Sequence, residues 1–174
     1  MNKSNSATAT KEKMQIIMNK NNLALEVKSQ VIEILQKTLS ASMDLQSHAK
    51  QAHWNVKGSD FYSLHLLFDQ VSSEVLPFID EIAERIVQLG GIAKGTIRFT
   101  AENTFLIEYP LEIQAGREHV EALSNSLANF ASDLRQGIDK TTEIGDVGTA
   151  DLLTGISRAI EKLLWFVEAH NQSH

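Results

Sequence analysis

Five side chains able to hold a metal ion fall within one short stretch of the chain: His53, His65, Asp69, Asp80 and Glu84. The stretch opens HWNVKGSDFYSLHLLFD and closes FIDEIAERIVQLGG. Its last four candidates share one helical pattern. Two pairs, His65 with Asp69 and Asp80 with Glu84, are spaced i, i+4, so each pair lies on one helix face and can grip one ion. The two pairs cannot grip the same ion from a single helix, because His65 and Asp80 stand roughly 22 Å apart at the rise of an α-helix. Imidazole with carboxylate suits Fe(II), and equally zinc or manganese. The chain has no cysteine, which removes disulfides, thiolate ligands and thiol nucleophiles.

The elements that position these groups are helices. The chain has 174 residues, only two prolines and nine glycines, and few alternating apolar runs. That combination predicts one all-α domain with a sizeable core. Helix one is expected from about Leu23 to His53 and is broken by Lys57, Gly58 and Ser59. Helix two, capped by Ser59 or Asp60, should run to Leu89 and stop at Gly90 and Gly91. Pro77 inside it should produce a local kink. Residues 92–111 form a long connection with a short helix near Ala101–Phe105. Helix three is expected from about Glu112 to Ile138, and helix four from about Thr149 to His170. Four long helices with one long middle connection make a ferritin-like four-helix bundle over residues 23–174. Residues 1–22, polar and lysine-containing, read as a flexible tail with a helical turn at Met14–Met18. No apolar run spans a bilayer and no leader is evident, which reads as a cytoplasmic protein. The net charge of −6 gives a mildly acidic surface.

Leu64, Leu67, Val71, Val75, Phe78, Ile82, Ile86 and Leu89 form one stripe along helix two, which should face the bundle core. His65, Asp69, Asp80 and Glu84 lie on nearly the opposite side, within an arc of about 100°. The chain also has no Glu-x-x-His, the pattern that builds a di-metal centre inside a bundle. A centre inside one subunit is therefore disfavoured. Leu66, Leu76 and Val87 sit on or beside the ligand face, which suggests burial against another subunit. Antiparallel two-fold packing of helix two on its own copy would bring His65 and Asp69 of one chain to Asp80 and Glu84 of the other, giving two equivalent sites per dimer. His53 can join the His65 half. Taken singly, each of these residues is more simply a solvated acid or a packed histidine. Taken together on a half-apolar face, they favour a metal site.

The segment from His53 to Gly91, with His53-Trp54-Asn55, Ala83-Glu84-Arg85 and the closing Leu89-Gly90-Gly91, resembles the Dps family, the ferritin-like DNA-binding proteins from starved cells. The resemblance extends from about Leu23 to His170. It implies a hollow dodecamer with ferroxidase centres at two-fold interfaces. There His53, His65 and Asp69 would come from one subunit and Asp80 and Glu84 from its neighbour. It further implies Fe(II) oxidation, by hydrogen peroxide or dioxygen, with ferric mineral stored in the cavity. Two irons giving two electrons to one peroxide avoid releasing hydroxyl radical. Trp54 would trap stray oxidising equivalents, or serve simply as an interface aromatic. Asp146 and Asp151, with Glu143 beside them, match the acidic positions of an iron-entry pore, where a ring of carboxylates attracts cations. Asp146 is equally well explained as a helix cap.

His48, His119, His170 and His174 fit no ligand position and read as surface or packing residues, while Trp165 and Phe166 read as packed in the bundle. The resemblance also raises DNA binding through Lys3, Lys11, Lys13 and Lys20. Twelve copies at −6 would sum to about −70, which opposes DNA. A third reading, a structural shell holding zinc without turnover, stays open.

Overall fold

The computed structural model describes residues 16–171, and five helices account for most of them: α1 Leu25–Asn55, α2 Phe61–Gln88, α3 Ile97–Asn103, α4 Gly116–Glu143 and α5 Val147–Glu168. No strand occurs among the described residues; a single parallel bridge joins Lys57 to Ala115. α1 packs along α2 and α4 along α5, while contacts of α1 with α4 and of α2 with α5 close the bundle. The expected stripe of α2 is the buried one, with Leu64, Val71, Val75, Ile82, Ile86 and Leu89 in the core. Phe68, outside that stripe, is fully buried too. α2 runs unbroken through Pro77, whose position is exposed, as is Ser73 one turn earlier, so the carbonyl that loses its partner faces solvent.

Element boundaries follow local capping. α3 begins at Ile97, earlier than the Ala101 expected, because the Thr96 side chain accepts from the Phe99 amide at 3.4 Å. α4 begins at Gly116, later than the Glu112 expected. Glu118 reaches back to the Ala115 amide at 3.0 Å and fixes the start there. α4 then continues to Glu143 instead of Ile138. α2 and α4 both end in a Schellman motif: Gly90 and Gly145 have φ of 91° and 89°. The amides of Gly91 and Asp146 reach back to the carbonyls of Ile86 and Thr141, each at 2.9 Å.

The segment expected to be a free tail up to residue 22 is anchored from Ile17 onward. The Ile17 amide donates to the Gly90 carbonyl at 2.8 Å, and the Asn19 amide group to the Gln88 carbonyl at 2.9 Å. Lys28, buried on α1, donates to Asn19 Oδ1 and to the Asn21 carbonyl. The open carbonyls at the end of α2 recruit this strap. No helical turn forms at Ile16–Met18; Met14, Lys3, Lys11, Lys13 and His174 lie outside the described residues. A Cβ at Gly90 would stand 2.3 Å from the Ile17 carbonyl, on a backbone of positive φ. Gly90→Ala is therefore expected to cost about 2 kcal/mol in denaturant unfolding and to speed amide exchange at Ile17.

The long connection is pinned to α1 and α4. Gln36 pairs with the Lys94 backbone in both directions at 2.9 Å. Thr104 donates to Asp44, which lies 3.2 Å from His48 Nε2; His48 Nδ1 meets Ser126 Oγ at 3.0 Å. Tyr109 and His119 share a hydrogen bond of 2.8 Å. His48 and His119 are thus packing residues, as expected, while His170 is exposed. Burial pushes the Asp44 carboxyl up, but bonds from His48 and Thr104 outweigh it and leave it below its ordinary value. Burial also depresses His119, against the opposing pull of Glu118, and raises the Tyr109 phenol. A depressed group binds fewer protons folded than unfolded, so its contribution is present above the unfolded value and is lost as pH falls. Melting temperature is expected to drop as pH falls below about 6.5, where unfolded histidine protonates. His119→Gln should flatten that drop in a melting series from pH 7 to 5.

One packing expectation is overturned. Trp165 is 62% exposed, because it lies off the buried face of α5 formed by Ile160, Leu163 and Val167. Its ring sits 5.0 Å from that of the half-buried Phe166.

Candidate metal centre

α1 and α2 form an antiparallel hairpin, so the last turns of α1 lie beside the first turns of α2. His53 meets His65 there, with the rings stacked at 3.8 Å between centroids and 20° between planes. Each Nδ1 lies 2.8 Å from the backbone carbonyl of the other histidine. A carbonyl can only accept, so both Nδ1 atoms carry the hydrogen. Nε2 is then the nitrogen left with a lone pair for an ion, and the reciprocal bonds fix both rings in orientation.

One turn further along α2 stands Asp69, and one turn back along α1 stands Lys50, with Nζ 2.5 Å from Asp69 Oδ1. The hydrogen bond from Lys50 holds the Asp69 carboxyl below the usual carboxylate range. His53, His65 and Asp69 are half-buried, whereas Asp80 and Glu84 are exposed further along the same helix. Within one chain, no group of three or more histidine or acidic side chains is gathered closely enough to hold an ion among the described residues. His53 and His65 stack, Asp69 follows one turn further along α2 and is held by Lys50, and Asp80 and Glu84 stand apart on the same helix.

The face carrying them is open and apolar. Leu66, Leu76 and Val87 are 50%, 58% and 58% exposed, and Trp54, beside His53, is 68% exposed. Shallow hollows adjoin both carboxylates, one lined by Leu76, Pro77, Ile79, Asp80 and Ala83, the other by Ala83, Glu84, Val87, Gln88 and Ala93. A larger hollow of about 910 Å³ lies elsewhere, over α4 and the long connection, and none of the five candidates lines it.

The candidate pore residues separate. Asp146 is 2% exposed and caps α5, accepting from the Thr149 amide at 3.0 Å and from its hydroxyl at 2.6 Å. Arg85 grips both of its oxygens, at 2.8 and 3.0 Å. Its carboxylate is therefore spent inside its own chain, and of the two readings the cap is the one its geometry supports. Asp151 and Glu143 are exposed, and Glu143 pairs with Lys140 at 2.8 Å. Sequence reasoning overlooked Lys50 and the role of Arg85. Lys50 was within reach of it, lying three residues before His53 on one helix face.

Fold and hairpin together place the chain among ferritin-like helical bundles, and residues 32–173 match the Ferritin family, described as a ferritin-like domain. The DNA protection during starvation protein of Agrobacterium fabrum is 42% identical over 153 residues, covering 88% of this chain and 94% of that one. The solved Dps of Mycobacterium smegmatis, in a tetragonal form, superposes with a TM-score of 0.86 at 33% identity, covering 90% and 96% of the two chains. DpsC of Streptomyces coelicolor gives 0.89 at 30% identity, covering 95% and 97%. The chain belongs to the Dps family of ferritin-like proteins. No described helix is long and apolar enough to cross a membrane.

Proposed function

We propose that this protein is a miniferritin ferroxidase. It takes Fe(II) as substrate at sites shared between two subunits, oxidises it with hydrogen peroxide, and stores the ferric product within a closed shell of twelve copies. The observation that carries this reading is the division of one ligand set into two halves on an open apolar face. His53 and His65 stack with Asp69 one turn further along α2, and Asp80 and Glu84 lie too far along that helix to join them in one chain. A two-fold copy brings the halves together and covers Leu66, Leu76 and Val87 at the same time. When iron is bound there it supplies the electrons; the chain supplies two oriented imidazoles, three carboxylates and a dry surround. Trp54 lies at the edge of this face, where it can act as an electron donor or an interface aromatic.

A crystal soaked anaerobically with Fe(II) tests the reading. The expected result is metal held by His53, His65 and Asp69 of one subunit and by Asp80 and Glu84 of the partner subunit. Metal bound wholly within one chain, or a monomer by light scattering at micromolar concentration, would refute it.

The name of the Agrobacterium relative motivates a second reading, DNA binding through the N-terminal lysines. Lys20 is exposed. A mobility-shift titration at stated salt, with and without residues 1–15, separates the two functions.

A further inference from the structure

Tyr109 and His119 form a buried couple that the proposed reaction leaves unused. They are 5% and 1% exposed, and Tyr109 Oη lies 2.8 Å from His119 Nδ1 with the two rings 18° from parallel. The hydrogen positions follow from what each group needs. With the hydrogen on Nδ1, the phenol O–H would have no acceptor among the described residues, and the buried Nε2, which makes no regular hydrogen bond, would have no donor. The backbone of Asn55 and of Ile113 beside the ring raises its proton affinity, as carbonyl oxygens do. The ring hydrogen therefore belongs on Nε2, towards those carbonyls, and the phenol donates to Nδ1. Burial favours the neutral form of both partners, raising the phenol and depressing the imidazole. At rest the pair is an acid aimed at the free lone pair of a base.

Phe68 connects this couple to the candidate centre. It is fully buried, precedes Asp69 on α2, and its ring centroid lies 6.3 Å from that of His119, which is 6.1 Å from that of Tyr109. Resting on the ferroxidase reading, we infer that Tyr109 is a one-electron donor to the centre and His119 the base that takes its proton, so that the pair stores one oxidising equivalent when a single Fe(II) meets peroxide. One Fe(II) gives peroxide one electron, leaving Fe(III), hydroxide and a hydroxyl radical. An electron from Tyr109 reduces that radical to hydroxide, and the phenol hydrogen passes to His119 Nδ1 as a proton. A tyrosyl radical and an imidazolium remain. A second Fe(II) then returns an electron to the ring, and Nδ1 returns the proton. The sum is two Fe(II) oxidised by one peroxide to two Fe(III) and two hydroxides, with no radical released. Burial is what makes the base necessary. A phenol shut away from water gives up an electron readily only when its proton has somewhere to go, and His119 is the acceptor in place.

The chain has two tyrosines, and the other, Tyr62, is 70% exposed, so the radical can be assigned. The full oligomer, loaded anaerobically with less Fe(II) than it has subunits, is mixed with peroxide and freeze-quenched for electron paramagnetic resonance, with Fe(II) consumption followed in parallel. The expected result is a tyrosyl signal that narrows when the tyrosines are ring-deuterated and disappears when more Fe(II) is added. Tyr109→Phe should abolish the signal and raise the yield of spin-trapped hydroxyl radical, while Tyr62→Phe should leave both unchanged. His119→Gln, which can accept the phenol hydrogen bond but cannot hold the proton, should abolish the signal as well; loss of a purely structural histidine would not. Fe(II) consumed with no tyrosyl radical in the unchanged protein, or a signal that vanishes with Tyr62→Phe and survives Tyr109→Phe, overturns the inference and leaves the ferroxidase reading standing. Fe(II) oxidised no faster than free iron overturns that reading and the inference with it. The deuterium label is read in the unchanged protein, so the radical can be sought whether or not each variant folds.

Discussion

Changing His65 and Asp69 together to alanine is expected to lower the rate of peroxide-driven Fe(II) oxidation by about a hundredfold or more, read by stopped-flow absorbance of the ferric product. The two residues lie one turn apart on α2 and form most of the histidine half of the proposed site. Neither is in the core, so the loss should come without loss of fold. Within this half the histidines can be separated from their scaffold. The carbonyl that orients His65 belongs to the backbone of residue 53, which His53→Ala retains. That single change therefore removes one imidazole and the ring stack while His65 keeps its Nδ1 bond. An intermediate loss is expected for it. A double variant that oxidises iron at the unchanged rate would move the chemistry away from this face altogether.

The second large effect is on stability. Arg85→Ala should lower the unfolding free energy by about 3 kcal/mol, measured by denaturant titration. Arg85 donates both Nη2 bonds to the buried Asp146 and an Nε bond of 2.9 Å to Thr149 Oγ1. Removing it leaves a carboxylate in the interior with Thr149 as its remaining donor, which is far costlier than losing a surface pair. Arg85→Ala combined with Asp146→Ala should recover part of the loss, because no charge is then stranded. Thr149 and the start of α5 would still lose their cap, so recovery should be incomplete. Additive losses would show that the two residues act independently.

These cases show how far the residues alone carry. The i, i+4 pairs of α2 and the position of its apolar stripe were legible because helix geometry is a property of consecutive residues. The Schellman ends at Gly90 and the site of Gly145 were legible for the same reason, since a positive φ favours glycine. The starts of α3 and α4 were misjudged by about four residues, because the side chains that fix them, Thr96 and Glu118, compete with other local signals. Trp165 was misjudged because an aromatic residue near an apolar run reads as core whichever side it faces.

By itself, the sequence determined that five candidate ligands lie within one short stretch, that two pairs of them each share a helix face, and that those pairs are too distant for one ion. It could not determine which contacts the hairpin makes across its seam. Only the tertiary structure stacked His53 on His65, put Lys50 against Asp69, and joined Asp146 to Arg85 at the start of α5. The reason is physical. Spacing along a helix follows from its fixed rise and turn, whereas contacts between helices depend on how two side-chain surfaces interlock in space.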